Sequence, residues 1–247
     1  MKNILLYLSY DGTGYSGFQV QENAPTIQGA VERALGIIYK KPVRITGAGR
    51  TDAGVHALGQ AASYKAPFDI EKEKLPSAIN TLLPPAIVVT GAVELDDNFH
   101  VRYDARRKIY SYTLDRAPYP QVLKRLYSWH FPEQLDLEMM KNAALLFEGT
   151  HDFKLFQASG SRVTDTKRKL YKVQLENREE EMLLILTFEG NGFIYRMARL
   201  ITGSLVRAGL GKVSLAAIKE ALQGKDPSAV GPTAPAAGLC LKKIIYD

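Results

Sequence analysis

Two strand patterns, at 169–176 and 182–189, stand back to back with only Asn177 to Glu181 between them. So short a link cannot make the crossover that parallel neighbours need, and the pair reads as an antiparallel hairpin. Elsewhere strand and helix patterns alternate. Residues 4–10 read as a buried strand, and Thr26 caps a helix whose Ile27, Val31, Leu35 and Ile38 recur at helical spacing. Strands follow at 43–46, 57–65 and 86–95, with a helix near Pro76 carrying Ile79 and Leu82. In the second half, 106–115 alternates, with Tyr110, Tyr112 and Leu114 on one face. Helices are expected at 137–147 (Asp136 as cap), 193–208 and 215–223 (Ser214 as cap, Gly224 beyond the end), and a strand at 239–246. Several strands adjoin without a helix between them. The pattern therefore predicts an α+β fold of mixed, largely antiparallel sheets flanked by helices, in two domains at 1–105 and 106–247.

At 247 residues the chain can bury a core without staples. With 46% apolar and 23% charged residues, disorder and a collagen-like fibre are excluded. Cys240 is the only cysteine, so no internal disulfide forms; between Leu239 and Leu241 it reads as a buried structural thiol. His56, His100, His130 and His151 are far apart, and no metal is expected. The apolar start at Ile4 to Leu8 is too short for a signal peptide and lacks a small-residue cleavage site. No run approaches the ~18 apolar residues that cross a bilayer, so a cytoplasmic location is expected. The net charge of +6 permits a polyanionic partner.

Gly12-Thr13-Gly14-Tyr15-Ser16-Gly17 has the GxGxxG form after a strand. In a dinucleotide site the helix opens inside the glycine run, so that its amides face the pyrophosphate. Here Phe18 to Pro25 has no helical period, so the run reads as a surface turn and no nucleotide cofactor is expected. The loop Gly47-Ala48-Gly49-Arg50-Thr51-Asp52-Ala53-Gly54-Val55-His56 differs, because its small residues let the backbone approach a planar ligand closely. Asp52, following a strand and flanked by Arg50, is placed to act as nucleophile or base. Taken alone, the commoner reading is a turn aspartate that satisfies its own backbone.

The octapeptide Gly49-Arg50-Thr51-Asp52-Ala53-Gly54-Val55-His56 resembles the active-site signature of the tRNA pseudouridine synthase A family. Tyr10-Asp11-Gly12-Thr13, Gly17-Phe18-Gln19 and Thr26-Ile27-Gln28-Gly29 resemble the family's opening segment. Phe99-His100-Val101-Arg102 with Arg107-Lys108-Ile109-Tyr110 is similar to its middle block. Phe193 to Arg199 and Thr233 to Leu239 are similar to its later blocks, so the resemblance runs in order along nearly the whole chain.

The resemblance implies an RNA-modifying isomerase that converts uridines 38 to 40 of the tRNA anticodon stem-loop to pseudouridine. It implies two α/β domains with an active-site cleft between them, a homodimer, and neither cofactor nor metal. Asp52 matches the family nucleophile, attacking either the sugar carbon or the uracil ring. Arg199 matches the arginine that pairs with it; a cation within about 4–6 Å offsets the desolvation of a carboxylate. Tyr110 matches the tyrosine that meets the target base, where its ring can stack and its phenol can join the final proton transfer. Arg50 is a candidate to fill the gap left by a flipped base. Arg102 and His100 are candidates for RNA contact. Basic residues gather at 102–125, at 162–172 (Arg162, Lys167, Arg168, Lys169, Lys172) and at 196–212, which suggests one RNA-facing surface. A rival reading is an RNA-binding module without chemistry.

Overall fold

The computed structural model describes residues 2–161 and 163–246; Arg162 of the second basic run lies outside them. β1 (Asn3–Tyr10) is buried at every position from Asn3 to Leu6 and opens to solvent at Tyr7 and Ser9. α1 (Ile27–Tyr39) starts at Thr26, whose hydroxyl accepts the Gly29 N–H, and it buries Ile27, Val31 and Leu35 with Ala30, Ala34 and Tyr39. Ile38 is only half-buried. The expected strand at 43–46 shrinks to β2 (Thr46–Gly47). Glu32 on α1 explains this, because its carboxylate takes the Ile45 N–H at 3.0 Å in place of a strand partner.

β3 (His56–Lys65) is buried along most of its length. α2 (Leu75–Asn80) opens on Pro76 and stops before Leu82, which is 40% exposed. There the Asn80 amide bonds both the N–H and the carbonyl of Val89, at 2.8 and 2.9 Å, on β4 (Ile87–Leu95).

β5 (Arg107–Asp115) is followed by β6 (Trp129–His130) and by α3 (Leu137–Leu145), capped by the Asp136 carboxylate on the Met139 N–H. β7 (Gly149–Asp152) is a short polar strand that the sequence pattern does not flag. β8 (Lys167–Arg178) and β9 (Leu183–Gly190) form the expected hairpin, closing as tightly as the Arg178–Leu183 pair. α4 (Met197–Gly209) begins four residues later than expected. Arg196 sits in the left-handed region (φ 59°), which breaks the helical path; Phe193 instead stands edge-on to Tyr110, ring centroids 4.9 Å apart. α5 (Leu215–Leu222) has its Ser214 cap, and Gly224 follows at φ 73°. β10 is Leu239–Ile245.

The chain forms two compact units and is α+β throughout. One unit takes the chain through Arg106 and then the tail from Cys240; the other is Arg107–Leu239. The first unit's sheet runs β4–β1–β3–β10, with β2 also on β3. Its strands are antiparallel except β10, which lies parallel to β3 through Cys240–His56 and Leu241–Ala57. The terminal strand, expected with the second domain, thus completes the sheet of the first. In the second unit β5–β9–β8–β7 are antiparallel, and β6 lies parallel to β5. Tyr110, Tyr112 and Leu114 share its buried face and oppose Phe188, Leu186 and Leu184. No helix among the described residues is long and apolar enough to cross a membrane.

The Thr26 cap supplies the first local prediction. Thr26→Ala should lower stability by about 1 kcal/mol, seen as a lower urea midpoint with unchanged slope.

Candidate active site

Asp52 lies in the loop between β2 and β3. The last bond before the loop runs from the Ala48 N–H to the Ala61 carbonyl at 2.8 Å. The chain re-enters β3 through a turn in which the Asp52 carbonyl accepts the Val55 N–H at 3.1 Å and Gly54 has φ 75°. A left-handed third residue is what a type II turn requires, so Gly54 belongs to the turn's geometry. Asp52 is half-buried and Arg50 is exposed.

The glycine run at 12–17 is the bed of this loop. A Cβ on Gly12 would stand 2.1 Å from the Val55 carbonyl oxygen, and one on Gly17 (φ 93°) would stand 2.7 Å from that of Thr51. Hydrogen bonds stitch the two segments together. Phe18 N–H donates to Thr51 at 3.1 Å, Gly54 N–H to Tyr15 at 3.2 Å, and Gly12 N–H to His56 Nδ1 at 3.1 Å. The Phe18 ring lies against Gly47, where a Cβ would come 2.4 Å from it. Thr13 and Gly14 form the exposed turn expected at 12–17, while Gly12 and Gly17 at its two ends are packing surfaces; α1 begins only at Ile27, well past the last of these glycines.

Arg199 and Tyr110 belong to the second unit. Arg199, near the start of α4, is half-buried; its Nε donates to the Ala234 carbonyl at 2.6 Å, and its own carbonyl accepts the Ala234 N–H. The segment that ends at Leu239 lies backbone to backbone on α4. A Cβ on Gly203 would meet the Pro232 oxygen at 2.0 Å, and Gly231 N–H donates to Ser204 Oγ at 2.8 Å. The same segment braces the sheet: Tyr112 donates to the Pro235 carbonyl at 2.9 Å, and Gly238 leaves room for its ring. Burial drives the Tyr112 phenol well above its ordinary range, and the Arg199 charge pulls against that rise. Tyr110 is buried, at 7% exposure.

His100 and Arg102 stand apart from Asp52 within the first unit. Their turn is tied to the opposite end of β1, where Asn3 Nδ2 donates to the Asp96 and Phe99 carbonyls at 3.1 Å. With about 3.3 Å per strand residue, the length of β1 separates the two loops by roughly 20 Å. His100 Nδ1 accepts the N–H groups of Arg102 and Tyr103, at 3.2 and 3.3 Å. Cations of the three basic runs have local partners too. Arg107 lies 2.9 Å from Glu189, Lys124 3.5 Å from Glu181 and Arg168 3.7 Å from Asp165, while Arg207 donates to the Ser228 carbonyl. Lys167 and Lys169 are exposed and alternate on β8 with Arg168, so the three do not share a face. Among the described residues no three His, Cys, Asp or Glu side chains gather as a metal set.

A family model described as tRNA pseudouridine synthase matches residues 7–104 and 143–247. The match spans Asp52, His100, Arg102 and Arg199 and leaves out 105–142, where Tyr110 lies. The chain is 43% identical over 246 residues to the tRNA pseudouridine synthase A of Thermoanaerobacter sp. (strain X514), covering all of both chains. It is 42% identical over 246 residues to that of Pseudothermotoga lettingae, again covering both, and 40% over 242 residues to that of Bacillus subtilis (strain 168), covering 97% of each. The chain is thus an enzyme of the pseudouridine synthase class, an isomerase. Within that class it belongs to the tRNA pseudouridine synthase family.

The glycine bed separates two otherwise similar substitutions. Gly17→Ala and Gly14→Ala each force a left-handed alanine at a cost of about 1–2 kcal/mol. Gly14 has φ 80° with nothing within 4 Å, whereas an added Cβ at Gly17 must push Thr51 away. Turnover should therefore fall by roughly 10²-fold in Gly17→Ala and stay near that of the parent in Gly14→Ala, measured at saturating substrate.

Proposed function

We propose that the enzyme converts uridine to pseudouridine at positions 38 to 40 of the tRNA anticodon stem-loop, with Asp52 as the nucleophile. The observation that carries the reading is a half-buried carboxylate on a loop whose backbone lies directly on a second loop, inside the family signature. The reaction moves the ribose bond of uracil from nitrogen to carbon. No atom is added and nothing is oxidised, so the steps are release of the base, its turn, closure of the carbon–carbon bond and loss of the proton from that carbon, matched by a proton gained at the nitrogen that had held the ribose. Asp52 attacks the sugar carbon or the uracil ring. The enzyme works without cofactor or metal, as a cytoplasmic homodimer.

The target base must leave its stack to be reached. Arg50, exposed and two residues from Asp52, fills the gap or holds the displaced partner. Tyr110 stacks on the uracil and takes part in the final proton transfer. Arg199 supplies the cation that favours the charged nucleophile. His100 and Arg102 grip RNA away from the target base, in keeping with their place at the far end of β1.

Incubating tRNA with the protein and analysing its nucleosides tests the reading against an RNA-binding module without chemistry. Pseudouridine should appear at 38 to 40. Asp52→Asn should keep the fold and tRNA affinity but lose at least about 10³-fold in activity. Appreciable turnover in a clean Asp52→Asn preparation would sink the assignment.

Phosphate binding should make affinity steeply salt-dependent. Replacing exposed Lys167 and Lys169 by Gln should weaken every tRNA alike and flatten the log–log salt slope by about one unit for each phosphate no longer neutralised. An unchanged slope would mark these lysines as a solvated face.

A further inference from the structure

The Asp52 loop is also held from beneath, by side chains with no part in the chemistry above. Gln60 on β3 is fully buried. One of its amide protons goes to the Gly49 carbonyl at 3.1 Å and the other to the Tyr10 phenol oxygen at 3.2 Å. Its carbonyl oxygen accepts the Ala61 N–H at 3.1 Å. The amide has one workable orientation, because turned over it would set its oxygen against the Gly49 oxygen. The same phenol hydrogen-bonds the Thr51 hydroxyl at 2.9 Å, a contact in which either oxygen can donate.

Tyr10 and Thr51 are buried as well, at 4% and 7% exposure. Burial pushes the Tyr10 phenol up to about 12, so it keeps its proton through the neutral range. Gly49 and Thr51 are the two neighbours of Arg50, and Thr51 precedes Asp52. A three-member chain, Gln60–Tyr10–Thr51, therefore ties both shoulders of Arg50 to β1 and β3.

We infer that Tyr10 and Gln60 are positioning residues for the reaction: through Gly49 and Thr51 they set where Asp52 and Arg50 stand. The inference rests on the reading of Asp52 as the nucleophile. Reacting atoms tolerate little misplacement, and about 1 Å can remove 10² of rate. Strands give a firmer anchor than a loop gives itself. The bonds of Tyr10 to Thr51 and to Gln60 are buried, where solvent competes least.

Tyr10→Phe is the central test, since it deletes one oxygen and keeps the ring near Phe18, at 6.5 Å. We expect kcat for pseudouridine formation to fall by about 10- to 10²-fold, while KM for tRNA stays within about two-fold. Thr51→Val added to it removes the stranded hydroxyl, so the double variant should regain melting temperature without regaining kcat. A merely structural tether would let the two recover together, and that result overturns the inference. So does a Tyr10→Phe kcat within about two-fold of the parent. Hydrogen exchange supplies a readout independent of turnover. The amides of 49–52 should exchange faster in Tyr10→Phe while those of β1 and β3 do not. If Asp52→Asn turned over appreciably, the Asp52 reading would fall, and unchanged exchange at 49–52 would separately overturn the tether.

Discussion

Backbone lies directly on backbone where Gly12 meets Val55 and Gly17 meets Thr51, and the candidate site depends on that close approach. No side chain larger than hydrogen fits either junction. A loop rich in glycine and alanine has little of its own to hold it, and chain entropy favours its spreading. Laying it on a second loop, with N–H groups of one meeting acceptors of the other, supplies the rigidity that its composition lacks. Phe18 and Tyr10 close the underside with apolar surface, and β3 continues from the loop without a break.

The second unit reaches a similar end by similar means. There a helix, α4, takes the place of the first loop, and the segment before β10 takes the place of the second. Gly203 and Gly231 bring the two backbones together, and Ser204 and Arg207 bond across the seam. Arg199 gains a fixed acceptor in Ala234 at one end of that seam. Each unit thus places glycine where a candidate side chain stands on closely packed backbone, and leaves bulk to the core beneath.

The features legible in the sequence are those that local chemistry decides. The caps at Thr26, Asp136 and Ser214, the hairpin at β8–β9 and the alternation around Tyr110 all follow from neighbours a few residues apart. The departures come from distant partners. Glu32 on α1 takes the Ile45 N–H and shortens β2, and Arg196 adopts a left-handed backbone that nothing in its residue type announces. The glycines at 12–17 read as a turn because the loop they carry lies some forty residues on. Tyr10 and Gln60 read as ordinary strand residues, since a polar side chain in a strand does not show which carbonyl it will meet. The role proposed for Asp52 comes only through resemblance; spacing alone favours a plain turn.

The parallel pairing of β10 with β3 also bears on the order of assembly. β10 follows the whole of the second unit in the chain, yet its register with β3 starts at His56 and Ala57, where the Asp52 loop ends. During synthesis the first unit emerges with that side of β3 uncovered, and the gap persists until more than a hundred further residues have been made. The open strand edge is meanwhile a template for mispairing. Its closure depends on a pairing between distant parts of the chain, which slows the final step. The loop bearing the candidate nucleophile therefore gains its full support only after the other unit exists, so an incomplete chain would carry the signature residues without their finished frame.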